Sequence, residues 1–264
     1  MRKYLGLLFI LMIGTKLYGK TIIWNKLNIG LDLGIASYTL NDKMLNYYQY
    51  KSKAFLPINF HAYYLGEKNI HFFDFNYKSR TLSTSDASNL YKYNNIDLID
   101  GRLNYEYYHE IKTFKNIIGF FIGASCNLYA TIINESYESK IWTFVPVNNQ
   151  YSFDISDNLS INALLRLHRQ RQCLMIKTGY AVINYGKRPD DFYIIYGGHI
   201  GNYDRRWYSV EDYQNIMVSM IYHYDISNRF SLRLEYLSEY RTYSSDRGLK
   251  FLKQSLSGGI SVKL

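Results

Sequence analysis

His61, His71, His109, His168, His199 and His223 are the six side chains best suited to proton transfer or metal ligation. None forms an HExxH pair or another close ligand spacing, so no metal site is expected. The sequence has no GxSxG elbow, no P-loop and no GxGxxG turn, so neither a nucleophile on a sharp turn nor a phosphate cradle is expected, and no cofactor. The densest set of reactive groups lies between positions 186 and 211, where Asp190, Asp191, His199 and Asp204 stand with Arg205, Arg206 and Trp207. An Asp beside a His orients it as a base that activates water, which makes these four the catalytic candidates. The plain alternative is a charged loop wetted by solvent. His223, two residues before the polar run Asp225-Ile226-Ser227-Asn228, fits a capped interior polar residue.

Such residues need elements to hold them, and the composition limits which. The chain has 264 residues, 47% hydrophobic and 20% charged, too apolar for a disordered chain. Only 3 Pro and 2 Cys exclude a collagen-like chain and a disulfide scaffold, whereas 29 Tyr is an unusual number. Arg2 and Lys3 precede an uncharged, mostly apolar stretch from Tyr4 to Gly14, and Leu17-Tyr18-Gly19 offers a small residue for cleavage. This is the pattern of a secretory signal peptide over residues 1–19, leaving a single domain over 20–264. Cleavage there would remove Arg2, Lys3 and Lys16 and lower the net charge from +9 to +6. The remaining Lys and Arg are scattered. No nucleic-acid partner is therefore expected, and a mild preference for anionic lipid headgroups fits the balance better.

The dominant signal is period two. Leu27, Ile29, Leu31, Leu33 and Ile35 alternate with Asn28, Gly30, Asp32, Gly34 and Ala36. Phe230, Leu232, Leu234 and Tyr236 alternate with Arg229, Ser231, Arg233 and Glu235, and Leu256 to Leu264 continues the rule to the C-terminus. Ten such segments can be counted. Short connectors fall near 65–69, 109–115, 168–172 and 225–229, and long ones near 39–53, 79–96, 130–150, 186–211 and 241–251. The polar stripe carries Asp32, Asp100, Arg102, Glu106, Arg166, Arg233 and Glu235, which a soluble core would not tolerate and a water-facing or closed lumen would. Tyr47, Tyr48, Tyr50, Tyr91, Tyr93, Tyr107, Tyr108, Tyr240 and Tyr243 cluster at segment ends, where an aromatic girdle would lie. Two readings compete locally. Residues 116–134 are uncharged with Gly119 and Gly123 at GxxxG spacing, as in a membrane helix, although their apolar stripe has period two. Phe153 to Ile161 echoes Tyr224 to Leu232; a turn at both places would add spans near 141–153 and 191–200 and give twelve. Unbroken parity from Tyr151 to Ile161 favours ten.

With these features the chain resembles small outer-membrane β-barrel proteins of Gram-negative bacteria, over nearly all of residues 20–264. The resemblance implies an all-β, antiparallel, up-and-down transmembrane barrel, reached through the outer-membrane assembly machinery, embedded in outer-membrane lipid and monomeric. Such families commonly end on an aromatic residue, whereas this chain ends on Leu264. The loop at 186–211 resembles outer-membrane proteases of the omptin type in placing acids and a His at a barrel mouth; in that family the acids come from different strands.

A ten-stranded barrel is narrow, because diameter grows with strand number. The seven interior charges are expected to pair across the lumen and close it, since buried charges need partners. A narrow, porin-like conduit is the alternative. Cys126 and Cys173 fall on opposite faces by parity, so two free thiols are expected, with a bridge left open. Three functions follow: a non-enzymatic surface or narrow-channel protein, a hydrolase with its site at the mouth, or a soluble exported β-sandwich that binds carbohydrate.

Overall fold

The structure is a computed structural model and describes residues 27–42, 50–52, 57–83, 95–114, 117–137, 148–169, 171–189, 193–194, 203–243 and 248–264. The expected signal peptide lies outside the described residues. In chain order the strands are β1 (Leu27–Asp42), β2 (Tyr50–Lys51), β3 (Ile58–Leu65), β4 (Asn69–Ser83), β5 (Asn95–Phe114), β6 (Ile118–Tyr137), β7 (Asn148–Arg169), β8 (Gln172–Pro189), β9 (Tyr193–Ile194), β10 (Tyr203–Tyr208), β11 (Tyr213–Asp225), β12 (Phe230–Tyr243) and β13 (Leu249–Lys263). Neighbours pair antiparallel as β1-β3-β4-β5-β6-β7-β8-β11-β12-β13, and β13 returns to β1 from Asn28↔Lys263 to Asp42↔Leu249. The sheet therefore closes with ten spans. β2, β9 and β10 only extend β1 and β4, β7 and β8 at the end that carries the long connections.

Closure leaves none of the ten spans as a sheet edge, and the period-two sequence sorts the faces. Leu31, Leu33, Ile35, Ile58, Phe75, Ile122, Ile161 and Ile260 point outward and are exposed, while Asp32, Asp74, Asp100, Glu106, Asn162 and Arg233 point inward and are buried. This inversion of a soluble core is what a bilayer around the barrel requires: all backbone groups are paired in the ladder, and hydrocarbon meets the apolar stripe. Cys126 faces outward, Cys173 is buried inside, and both are free thiols.

Several local readings are decided by register. Residues 118–137 form strand β6, and no helix among the described residues is long and apolar enough to cross a membrane. The stretch 154–158 continues β7 in ladder with β6, so it makes no turn and the count stays at ten. The short connector expected near 109–115 lies beyond Phe114. β5 runs on to Phe114 through a bulge at Ile111, where the register shifts between Glu110 and Lys112. β8 carries one extra residue, Val182: Leu159 pairs with Ile183 but Ser160 with Ala181. Beyond that bulge the inward set moves from odd to even positions, Asn184 and Gly186.

The tyrosines divide in the same way. Tyr107 is exposed on the outer face, but Tyr108 and Tyr243 are buried inside, which removes both from the expected girdle. Tyr108 follows Tyr107 directly, so the pleat sends it inward; Tyr243 shares the parity of Arg241 and Glu239. Tyr47, Tyr48, Tyr91 and Tyr93 lie outside the described residues.

Candidate functional site

The lumen holds three layers. At the long-connection end, Tyr38, Leu40, Tyr208, Tyr213, Tyr243 and Phe251 belong to one buried apolar cluster. Tyr213 and Tyr243 cross at 4.5 Å between ring centroids, and Tyr208 meets Tyr243 at 5.2 Å. Towards the short-turn end a second cluster joins Tyr63, Phe72, Tyr108, Phe121, Leu164 and Met175. Charged groups fill the space between them.

The upper charged group lies beneath the tyrosine cluster. Arg241 donates to Asp100 at 3.1 Å, and Tyr38 and Thr131 donate to the same carboxylate at 3.2 and 3.1 Å. Arg241 is also held between the rings of Tyr129 and Phe251 at 4.5 and 4.2 Å. Glu239 is shared by Arg102 at 3.6 Å, Arg241 at 3.4 Å and Lys253 at 3.8 Å. In the lower group Arg233 binds Asp32, Asp74 at 3.4 Å and Glu235 at 2.8 Å, and Ser219 donates to Glu235 at 2.7 Å. Glu106 accepts from Lys177 at 3.0 Å, Tyr108 at 2.8 Å and Asn104 at 2.7 Å. These contacts join opposite walls: Glu106 is on β5, Lys177 on β8, Asp74 on β4 and Arg233 on β12.

Glycine makes one of these reaches possible. Gly259 on β13 stands opposite both Asp32 on β1 and Arg233 on β12, and a Cβ there would collide with the Asp32 carboxylate. The missing side chain lets a pair two strands apart close over it. Gly30 acts alike beneath His61 and Ser261, where an added Cβ would sit 2.7 Å from the imidazole.

A second polar chain descends to the short-turn rim. His61 Nε2 and Ser261 Oγ are 2.8 Å apart, and His61 Nδ1 lies 3.2 Å from Asp32. Tyr63 bonds His223 Nδ1 at 2.7 Å, His223 Nε2 bonds Asp225 at 2.8 Å, and Lys263 pairs with Asp225. The Ser261–His61–Asp32 spacing is close to that of a nucleophile, a base and its orienting acid. The chemistry is not equipped, however. All three side chains are fully buried, His61 Nδ1 makes no hydrogen bond to Asp32, and Arg233 already occupies that carboxylate.

Of the seven lumen residues expected from sequence, Asp32, Arg233 and Glu235 are brought together. Asp100, Arg102 and Glu106 take partners from elsewhere: Arg241, Glu239 and Lys177. Arg166 sits apart near the short turns, donating to the carbonyls of Gly66 and Glu67 at 3.1 and 3.2 Å, 3.6 Å from Glu110 and over the ring of Phe121. Sequence reasoning missed Asp74, Lys177, Glu239, Arg241 and Lys253 as members. Parity would have found Glu239 and Arg241, which continue the stripe of Arg233 and Glu235 into residues read as strand end and loop. Of the four catalytic candidates, Asp190, Asp191 and His199 lie outside the described residues; Asp204 lies in β10, its backbone paired with Arg188. Among the described residues no group of His, Cys, Asp and Glu could hold a metal ion.

A closed antiparallel barrel with an apolar exterior and a charged interior defines the class: a transmembrane β-barrel of the outer-membrane type. In fold the chain is similar to the outer-membrane protease OmpT from Escherichia coli, at a TM-score of 0.59 and 10% identity, over 90% of this chain and 97% of that one. It is also similar to the translocator domain of the autotransporter NalP from Neisseria meningitidis, at a TM-score of 0.48 and 12% identity, over 96% of this chain and 92% of that one. No protein-family model matches the sequence, and no curated protein matches it.

Proposed function

We propose that this protein is a non-enzymatic outer-membrane barrel with a closed lumen, whose activity lies in the connections it displays at the long-loop end. One observation carries the reading. The described lumen is filled across its width by charged side chains, most of them paired, with an apolar layer on either side of them. A void among Asn127, Tyr129, Asn162, Asn215 and Met217 measures about 10 Å³, room for a single water. Among the described residues this packing supports the surface role over the narrow channel. The test is single-channel recording of the protein, extracted from outer membranes and inserted into a planar bilayer. Folded, inserted barrel is expected to give no current steps; discrete, reproducible steps would overturn the closed-lumen reading.

A hydrolase at the mouth is the second reading, favoured by the acids and His between 186 and 211 and by a fold shared with an outer-membrane protease. It predicts peptide or ester hydrolysis by the purified barrel that Asp191→Ala and His199→Ala each abolish. Hydrolysis that survives both substitutions would remove that site.

A further inference from the structure

The outer face of β5 changes chemistry in steps towards the short turns. Its exposed residues run Leu103, Tyr105, Tyr107, His109 and then Lys112. Strict alternation from His109 would turn Lys112 into the lumen. The bulge at Ile111 prevents this: the register shifts between Glu110 and Lys112, and Lys112 pairs with Phe120, which is exposed on the outer face of β6. A bulge re-aims a side chain. Here it puts an ammonium group on the face that meets lipid, where β5 reaches the end of its span.

No acid answers that lysine. Among the described residues Lys112 has no ion pair and no hydrogen bond; its Nζ lies over the ring of Phe114 at 4.7 Å, and Phe114 meets Phe120 edge-on at 5.9 Å. Of the acids at this end of β4 and β5, Glu110 is taken by Arg166 at 3.6 Å, and Glu67 shares its turn with Lys68. The next row along the same face is fixed by hydrogen bonds. Asn69 Oδ1 accepts from the Tyr107 hydroxyl at 3.1 Å and from His109 Nδ1 at 2.8 Å, while His71 Nδ1 and the Tyr105 hydroxyl are 2.9 Å apart. His71 also packs on the rings of Tyr64 and Tyr107, at 5.9 and 5.1 Å between centroids. Both imidazoles are thus held through Nδ1, and among the described residues Nε2 of neither has a partner. The ladder sets β4 at the same depth, pairing Asn69 with His109, His71 with Tyr107 and Phe73 with Tyr105.

From apolar through phenolic and imidazole groups to a cation is the order of a lipid leaflet, from acyl chain through ester region to phosphate. An ordinary aromatic girdle accounts for Tyr64, Tyr105 and Tyr107. It does not account for a bulge that turns a lysine outward, or for two histidines fixed on the same face. We propose that the outer face of β4 and β5 at the short-turn end binds one anionic glycerophospholipid, of the phosphatidylglycerol class, from the periplasmic leaflet. Its phosphate lies against Lys112 and His109, its ester groups against His71, Tyr105 and Tyr107, and an acyl chain along Phe75 and Leu103. Short turns face the periplasm in barrels of this type. The headgroup is anionic because Lys112 lacks a carboxylate, and a zwitterionic lipid brings an ammonium that competes with it for the phosphate. The inference concerns the outer face alone and stands whether the lumen is open or closed.

Native mass spectrometry tests it on the full protein, extracted from outer membranes into detergent with equal amounts of phosphatidylglycerol and phosphatidylethanolamine. One phosphatidylglycerol is expected to stay bound in preference to phosphatidylethanolamine. Lys112→Gln is expected to lower that retention about fivefold, the weight of one lysine beside an anionic membrane surface. Lys250→Gln, which removes an exposed lysine at the long-connection end, is expected to leave it unchanged. Equal retention of the two lipids by wild type would overturn the proposal, and so would full retention by Lys112→Gln. A loss in Lys250→Gln as large as that in Lys112→Gln would overturn it too, because the attraction would then be general rather than sited.

Discussion

Arg233 shows what a single side chain does in this lumen. Its guanidinium is fully buried and serves Asp32, Asp74 and Glu235, on three different strands. A planar fork of five donors can satisfy several carboxylates at fixed angles, which a lysine ammonium on a flexible stem cannot. Arg233→Met removes the cation and leaves three carboxylates facing one another without it. Breaking a buried pair by deleting one partner costs about 3–5 kcal/mol. Arg233→Met should lose at least that much stability in urea unfolding of the inserted barrel, and Arg233→Lys should recover only part. Equal stability of Arg233→Met and wild type would mean that the three acids are held protonated or wetted instead. The residue itself was legible in the sequence as an interior charge. Its pairing with Asp32 on β1 and Asp74 on β4 was not, because the ladder across β13, and the gap left by Gly259, exist only once the sheet has closed.

At the scale of the strand, the two faces make different demands. Leu33 is 62% exposed on the outer face of β1, within a run of outward Leu and Ile, whereas Ile111 is 65% exposed at the bulge beside a short turn. Similar exposure hides unequal depth. A cation on the lipid face costs about 2–4 kcal/mol at the bilayer midplane and about 0–1 kcal/mol near the interface. Leu33→Arg is therefore expected to destabilise the lipid-inserted barrel by about that larger amount, and Ile111→Arg by the smaller. Denaturant titration in lipid vesicles measures both, and equal costs would show that β1 does not cross hydrocarbon at Leu33. Strand existence and facing were readable because period two persists through Leu27–Ile35 and Phe230–Tyr236. Strand ends were not. A bulge such as Ile111 or Val182 reverses parity for the rest of the strand and imitates a turn or a break, and the inward apolar residues near the mouth look like ordinary loop composition. Tyr243 and Leu249 were thus read as girdle and connector, although they pack against Tyr38 and Phe251 inside.

On the closed-lumen reading proposed above, the molecule is a set of seals in series, and this order governs what any one substitution can do to permeation. The tyrosine cluster lies at the long-connection end, two charged groups span the middle, and the cluster around Tyr63, Phe72 and Phe121 lies towards the short-turn end. A barrel of ten spans is narrow, so a filled layer reaches from wall to wall. Tyr213 and Tyr243 pack on each other and on Tyr208 in the mouth cluster, and Tyr213 also accepts from Asn158 at 3.0 Å. Replacing both by Ala would remove large buried rings, at about 3–5 kcal/mol each. It would leave Arg241 on Asp100, Lys177 on Glu106 and Arg233 on its three acids. The double variant is therefore expected to unfold earlier than wild type and still to give a silent bilayer. Current steps from that variant, with none from wild type, would mean that the mouth alone holds the barrel shut and that the charged middle is wide enough to pass ions.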